Sequence, residues 1–193
     1  MSVTRRDNEH HTYADYFKWS RTSGDELIDG TAYIRDPSPT FAHQMIVVEL
    51  CAQVRNALKG SPWRVCIAPL DVRLPRSTEP DDDVDTVVQP DVFITLDPKK
   101  IDARGLRGAP DWIVEVLSPG TARHDQTKKL ATYERAGVPE VWLLNPWVRK
   151  VAIYRLEDGS YGPPRVLKLE GRTALGVAPE AVIDWDSVVA EIG

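Results

Sequence analysis

Apolar residues recur along the chain with two different periods, and each change of period marks a new element. Between Phe41 and Leu58, the residues Val47, Leu50, Val54 and Leu58 follow one another at three- and four-residue steps, as one face of a helix requires. Gly60-Ser61-Pro62 ends that helix. The runs WRVCIAPLDVRL, VVQPDVFITL and DWIVEVL are then dense in branched and aromatic residues and separated by turn formers, which predicts three strands. A second helix starts at Thr121 or Ala122 and reaches Arg135 or Ala136, with Gly137 as its stop and Pro139 beyond. EVWLLNP and KVAIYRL predict two further strands around an Asn-Pro-Trp turn. Near the N-terminus, TYADYFKWS suits a short helix and ELIDG-TAYI reads as a hairpin turning at Asp29-Gly30. Short runs near RVLKLE and AVIDWDSVV complete the sheet or form a small flank.

The order helix, three strands, helix, strand implies an α/β fold with a mixed (α+β) sheet between helices, carrying an N-terminal hairpin and extra C-terminal strands. At 193 residues and 42% apolar content the chain fits one domain over 1–193, with its core at about 12–156 and a C-terminal extension at about 157–193. The loop Pro75–Asp85 is polar enough to be mobile. No apolar run is long enough to span a membrane, and the opening MSVTRRDNEHH is polar where a secretory signal is apolar, so a cytoplasmic location is expected. Cys51 and Cys66 form no metal-type cluster and read as buried, reduced thiols.

The net charge of −5 argues against a nucleic-acid partner until its distribution is considered. Residues 71–98 carry eight acidic side chains against Arg73 and Arg76, whereas residues 99–135 carry eight basic ones against five acidic. An acidic cluster beside a basic stretch suits metal-assisted phosphodiester chemistry, and equally suits two ordinary solvated faces. Within the acidic stretch, Asp91 follows Pro90 at the start of an apolar strand, where solvent is within reach. Glu115 interrupts Trp112-Ile113-Val114-Glu115-Val116-Leu117, a buried type of strand in which an unpaired charge is costly, so it needs a cation, a partner or a proton. If the two strands are neighbours, the carboxylates converge on one Mg²⁺ or Mn²⁺ ion; otherwise they are a surface Asp and a Glu paired to a basic residue.

The stretches ELIDG, HQMIVVEL, APLDVRL, VVQPDVFI and GAPDWIVEVLSPGTARHDQTKKLATYERAGVPEVWLLNP together resemble the Uma-type endonuclease family of the PD-(D/E)XK superfamily, over about residues 12–156. The block from Gly108 to Pro146 is specific to that family; the Pro-Asp dipeptide alone is not. The resemblance implies a restriction-endonuclease-like fold and Mg²⁺-dependent nuclease activity. It matches Pro90-Asp91 to the superfamily's PD and Glu115 to its second acidic residue, while Leu117 stands where the lysine is usual. A lysine on the following helix takes that role in the family, and the matching residue is Lys129, with Lys128 as the alternative. Glu49 matches an acidic position aimed at the same cation, although a solvated Glu beside an apolar stripe reads the same way. His43 could contact phosphate or simply cap its helix, and Arg123 lies on the basic stretch near the same segment. Asp125 and Lys129, four apart, could instead form a surface ion pair worth about 0.3–0.5 kcal/mol.

The reading that follows is a DNA endonuclease in which Asp91, Glu115 and the Val116 carbonyl hold the metal, acting alone or as a homodimer. The alternative, favoured by Leu117, is a nuclease-fold module that binds DNA or a protein without hydrolysis. A third possibility is a structural homodimer that uses the six tryptophans as interface anchors.

Overall fold

A computed structural model describes residues 2–19, 24–36 and 39–191. Its elements run β1 (Ser2–Arg5), α1 (Tyr13–Tyr16), β2 (Glu26–Ile28), β3 (Thr31–Asp36), α2 (Phe41–Ala57), β4 (Arg64–Ile67), β5 (Val72–Arg73), β6 (Val87–Val88) and β7 (Val92–Thr95). After β8 (Ile101–Asp102), β9 (Gly105–Arg107) and β10 (Trp112–Val116) comes the second helix. It consists of α3 (Ala122–His124), a π-helical stretch (Asp125–Lys129) and α4 (Leu130–Ala136). β11 (Glu140–Asn145), β12 (Lys150–Glu157), β13 (Ser160–Tyr161), β14 (Arg165–Lys168), β15 (Arg172–Ala174), β16 (Val182–Asp184) and α5 (Trp185–Ala190) complete the chain.

The central sheet has the order β13-β12-β11-β10-β7-β4, with β14 also paired to β12. β4, β7 and β10 form an antiparallel meander, and the second helix then crosses over to bring β11 parallel to β10. That is the expected helix, three strands, helix, strand. The alternation of β10 divides the core. Trp112, Val114 and Val116 pack with Ile46, Leu50 and Val54 of α2 and with Trp142 and Trp185 on one face. Ile113 and Leu117 pack with Phe93, Tyr133 and Leu143 on the other. Trp112, Trp142 and Trp185 are fully buried and in ring contact, so half of the tryptophans belong to the core rather than to an interface. The C-terminal extension shares this core, since Leu169, Leu175, Ile183 and Val188 lie in the α2 cluster.

Three expectations need correction. The runs 63–74 and 87–96 are not single strands: each breaks at a proline that cannot donate to a ladder, and its halves enter different sheets. The detached pieces β5 and β6 join β1, β3, β2, β9 and β8 in a second sheet, in the order β1-β3-β2-β6-β5-β9-β8. Nor is Pro75–Asp85 a loose loop. Val84 is buried, and Asp81 is gripped by both the fully buried Arg73 and Arg107, the latter at 2.6 Å. Asp82 and Asp85 of the same stretch pair with Arg104 and Arg76. The cysteines are free but only half-buried; burial still raises both thiols above their ordinary pKa. The hairpin turn does fall at Asp29 and Gly30, both with positive φ (51° and 70°), as a tight two-residue connection requires.

Candidate active site

The Asp91 and Glu115 carboxylates come together because β7 and β10 are antiparallel neighbours, with Val92 opposite Val114, so that the residue before β7 lies beside Glu115. Asp91 is only 4% exposed, which removes the expected contact with solvent. Its Oδ2 accepts the Val116 backbone N–H at 2.7 Å and meets His43 Nε2 at 3.2 Å. His43 reaches it from the first turn of α2, where the Thr40 hydroxyl caps the helix by accepting the His43 backbone N–H.

Glu115 is 1% exposed and points, by strand alternation, to the face covered by the second helix. Lys129 Nζ lies 2.7 Å from its Oε1, and the Tyr133 hydroxyl donates a short hydrogen bond to the same oxygen. Lys129 and Tyr133 are one α-turn apart and therefore project from one side of the helix. Lys129 Nζ is also 2.8 Å from Oε1 of Glu26, a fully buried residue of β2, and that oxygen accepts the Gln89 backbone N–H at 3.1 Å. His124 Nε2 stands 3.6 Å from the other Glu26 oxygen. The site is therefore a seam: the second sheet supplies Glu26, the central sheet supplies Glu115, and Lys129 bridges them. The wide π-helical turn buries both Asp125 (2% exposed) and Lys129 (fully buried) against this seam. Asp125 and Lys129 therefore lie inside the fold and not on a solvated surface.

Four carboxylates, Glu26, Asp91, Glu115 and Asp125, are thus buried around one lysine and two histidines. Burial is the main cause that pushes the Glu115 carboxyl well above the usual glutamate range. Lys129 opposes the shift, and Asp91, Asp125 and Glu26 add to it. Burial and the same anions also raise the Tyr133 hydroxyl. Glu115 Oε2 is buried and has no hydrogen-bond partner among the described residues. A divalent cation fits this arrangement: it needs oxygen donors, relieves the excess negative charge and gives Oε2 a ligand. Among the described residues no ready-made group of three His, Cys, Asp or Glu ligands is assembled, so waters and a substrate phosphate would complete the shell.

The other candidates fall outside the seam. Lys128 and Arg123 are exposed, which leaves Lys129 as the buried lysine. Glu49 accepts a hydrogen bond from Gln53 at 2.8 Å, and Gln53 continues to the Asp184 carbonyl at 3.1 Å. At about 100° per residue, Glu49 sits roughly 120° around α2 from His43, the residue that meets Asp91. Glu26 and Tyr133 were not anticipated. The signal for Glu26 was the one that marked Asp91, a carboxylate at the start of an apolar strand; for Tyr133 it was the four-residue spacing from Lys129.

The Uma2 family model, described as "Putative restriction endonuclease", matches residues 13–184. That span takes in most of the C-terminal extension as well as the core. A search of curated proteins returns no match. Among solved structures, a crystal structure of a putative nuclease belonging to DUF820 from Anabaena variabilis matches with a TM-score of 0.74 and 21% sequence identity, covering 94% of this chain and 98% of that one. At that identity the likeness is one of fold.

Proposed function

Since the chain belongs to the Uma2 family, described as "Putative restriction endonuclease", we propose that its buried seam hydrolyses phosphodiester bonds of DNA with the help of Mg²⁺ or Mn²⁺. The observation that carries this reading is the Glu115 carboxylate, which neighbours Asp91: one oxygen is held by Lys129 and Tyr133, and the other is buried with no hydrogen-bond partner among the described residues. Asp91 and Glu115 would hold the ion. When bound, it supplies polarisation of a phosphate oxygen and a more acidic water.

The protein's own groups set the rest. Val116 N–H and His43 fix the Asp91 carboxylate, so it meets a ligand in one orientation. Tyr133 fixes Glu115 in the same way. Lys129 Nζ stands at the seam, where it would orient the attacking water and stabilise the charge that develops on the phosphate. On this reading Lys129 serves, from the helix, the role left open by Leu117.

The test is cleavage of plasmid and single-stranded DNA with Mg²⁺ or Mn²⁺, run for the wild type, Asp91→Asn and Glu115→Gln, each checked for folding by thermal melt. Cleavage by the wild type and its loss in both folded variants is the expected result. An inert wild type that also shows no metal-induced rise in melting temperature would overturn the reading in favour of a binding module.

A further inference from the structure

The edge of the central sheet beyond the seam carries features that hydrolysis does not use. β11 runs parallel to β10 with Leu144 opposite Val116, so the β11–β12 turn projects from the same end of the sheet as Asp91 and Glu115. At about 3.3 Å per residue and 4.8 Å between strands, that turn begins roughly 10–15 Å from Glu115. It holds two exposed apolar side chains in sequence, Trp147 (55%) and Val148 (58%). The turn is organised rather than loose: Asn145 Oδ1 accepts the backbone N–H of both residues, at 3.1 and 3.2 Å, and Arg149 takes a positive φ of 49°. A large indole held out in water by a built turn is an unsatisfied surface on a protein whose buried tryptophans pack into the core.

Cations follow directly. Arg149 and Lys150 are exposed, and Lys150 lies opposite Lys168 at the end of β14. Lys168 also borders a groove of about 570 Å³ that wraps the β14 edge onto the α2 face, past Arg165 and Arg172 over a floor including Leu167 and Leu175. One acid intrudes, Glu170, which meets Lys168 at 3.7 Å with both side chains 71% exposed; a pair so solvated yields readily to a phosphate. An exposed aromatic ring leading into a cationic groove is the arrangement that binds single-stranded nucleic acid, because only an unpaired base offers its face for stacking. The depth of the seam agrees: carboxylates 1–4% exposed are reached more easily by one strand than by a duplex.

We propose that an unpaired strand of nucleic acid crosses this edge, with one base stacked on Trp147 and the adjoining phosphates held by Lys150, Lys168, Arg165 and Arg172. This deepens the nuclease reading by naming its substrate as a single strand, and rests on it for the strand's path into the seam. Binding is measured on the full chain in EDTA, by anisotropy of a labelled 20-residue oligothymidine and of a matched duplex. The single strand binds at least tenfold tighter than the duplex. Trp147→Ala weakens it about 5- to 150-fold, the equivalent of ~1–3 kcal/mol per stacked base. Arg165→Glu with Arg172→Glu lowers the salt slope by about 0.7 for every phosphate that is no longer neutralised. Equal affinity for duplex, or a Trp147→Ala variant that binds like the wild type, overturns the proposal. So does a Trp147→Ala variant that turns a dimer into a monomer by light scattering and leaves DNA affinity unchanged, since the patch is then a self-interface. The two readings fail separately. A wild type that binds as described but cuts with neither metal removes the nuclease and keeps the strand path; one that cuts while Trp147→Ala leaves binding unaltered does the reverse.

Discussion

Lys129→Met is the sharpest perturbation of this fold, because one ammonium serves two carboxylates. Lys129 is fully buried and lies 2.7 Å from Glu115 and 2.8 Å from Glu26, which are themselves 1% and 0% exposed. Glu115 accommodates the loss by taking up a proton, since burial already favours its neutral form. Glu26 then has to be protonated too, or remain a buried anion without its cation. Breaking a buried pair costs about 3–5 kcal/mol. The alternative cost, protonating one ordinary glutamate (pKa about 4.3) at pH 8, comes to about 5 kcal/mol at 1.36 kcal/mol per pH unit, and the same step at pH 5 costs only about 1 kcal/mol. The destabilisation should therefore be about 3–5 kcal/mol at pH 8 and about 1 kcal/mol at pH 5. For a chain of this length, the pH 8 value corresponds to a melting temperature lower by roughly 6–20 °C. Thermal and guanidinium unfolding of the variant beside the wild type at both pH values measures it. Adding Glu26→Gln and Glu115→Gln to Lys129→Met should recover most of the loss, because buried neutral groups replace buried charges. A penalty that is the same at pH 5 and pH 8, or below about 1 kcal/mol at pH 8, would show that the bridge does not carry the charge balance of the seam.

The metal-free wild type should itself lose stability as pH rises. The Glu115 pKa is raised in the fold, so this contribution is complete below the ordinary glutamate value of about 4.3 and drains away above it until Glu115 ionises; Glu115→Gln should flatten that part of the melting profile. Tyr133→Phe removes the hydroxyl that orients Glu115 without changing ring packing, and should cost about 1–3 kcal/mol by chemical denaturation, with DNA cleavage reduced more than DNA binding. Gly137→Ala should destabilise by about 1 kcal/mol in the same assay purely through backbone strain, since Gly137 caps α4 at φ 80° and an added Cβ meets nothing within 4 Å.

The parts of this fold that were legible in the sequence are those governed by local rules. The α2 stripe of Val47, Leu50, Val54 and Leu58 is buried as its period requires, and the second helix ends at Gly137 in a left-handed cap. Glu115 announced itself because a charge inside an apolar strand needs an explanation. What escaped was set by pairings distant in sequence. Nothing local to Pro69 or Pro90 says that the chain there leaves one sheet for another, and Glu26 is joined to Glu115 through Lys129, a hundred residues away from it. Glu49 illustrates the opposite limit: its type and neighbourhood suit a ligand, while its helical phase places it beside Gln53, which in turn donates to the Asp184 carbonyl. The π-helical turn that buries Asp125 together with Lys129 has no compositional signature in DQTKK.

Leu117 packs at 4% exposure among apolar side chains of the second-helix face, while the cation expected there stands on another element. This makes the arrangement resistant to evolutionary reversal. A lineage that restored lysine at 117 while keeping Lys129 would force an ammonium into that apolar cluster, and one that gave up Lys129 first would strand Glu26 and Glu115. Either single replacement passes through a destabilised chain, so selection for folding alone is enough to hold the lysine on the helix.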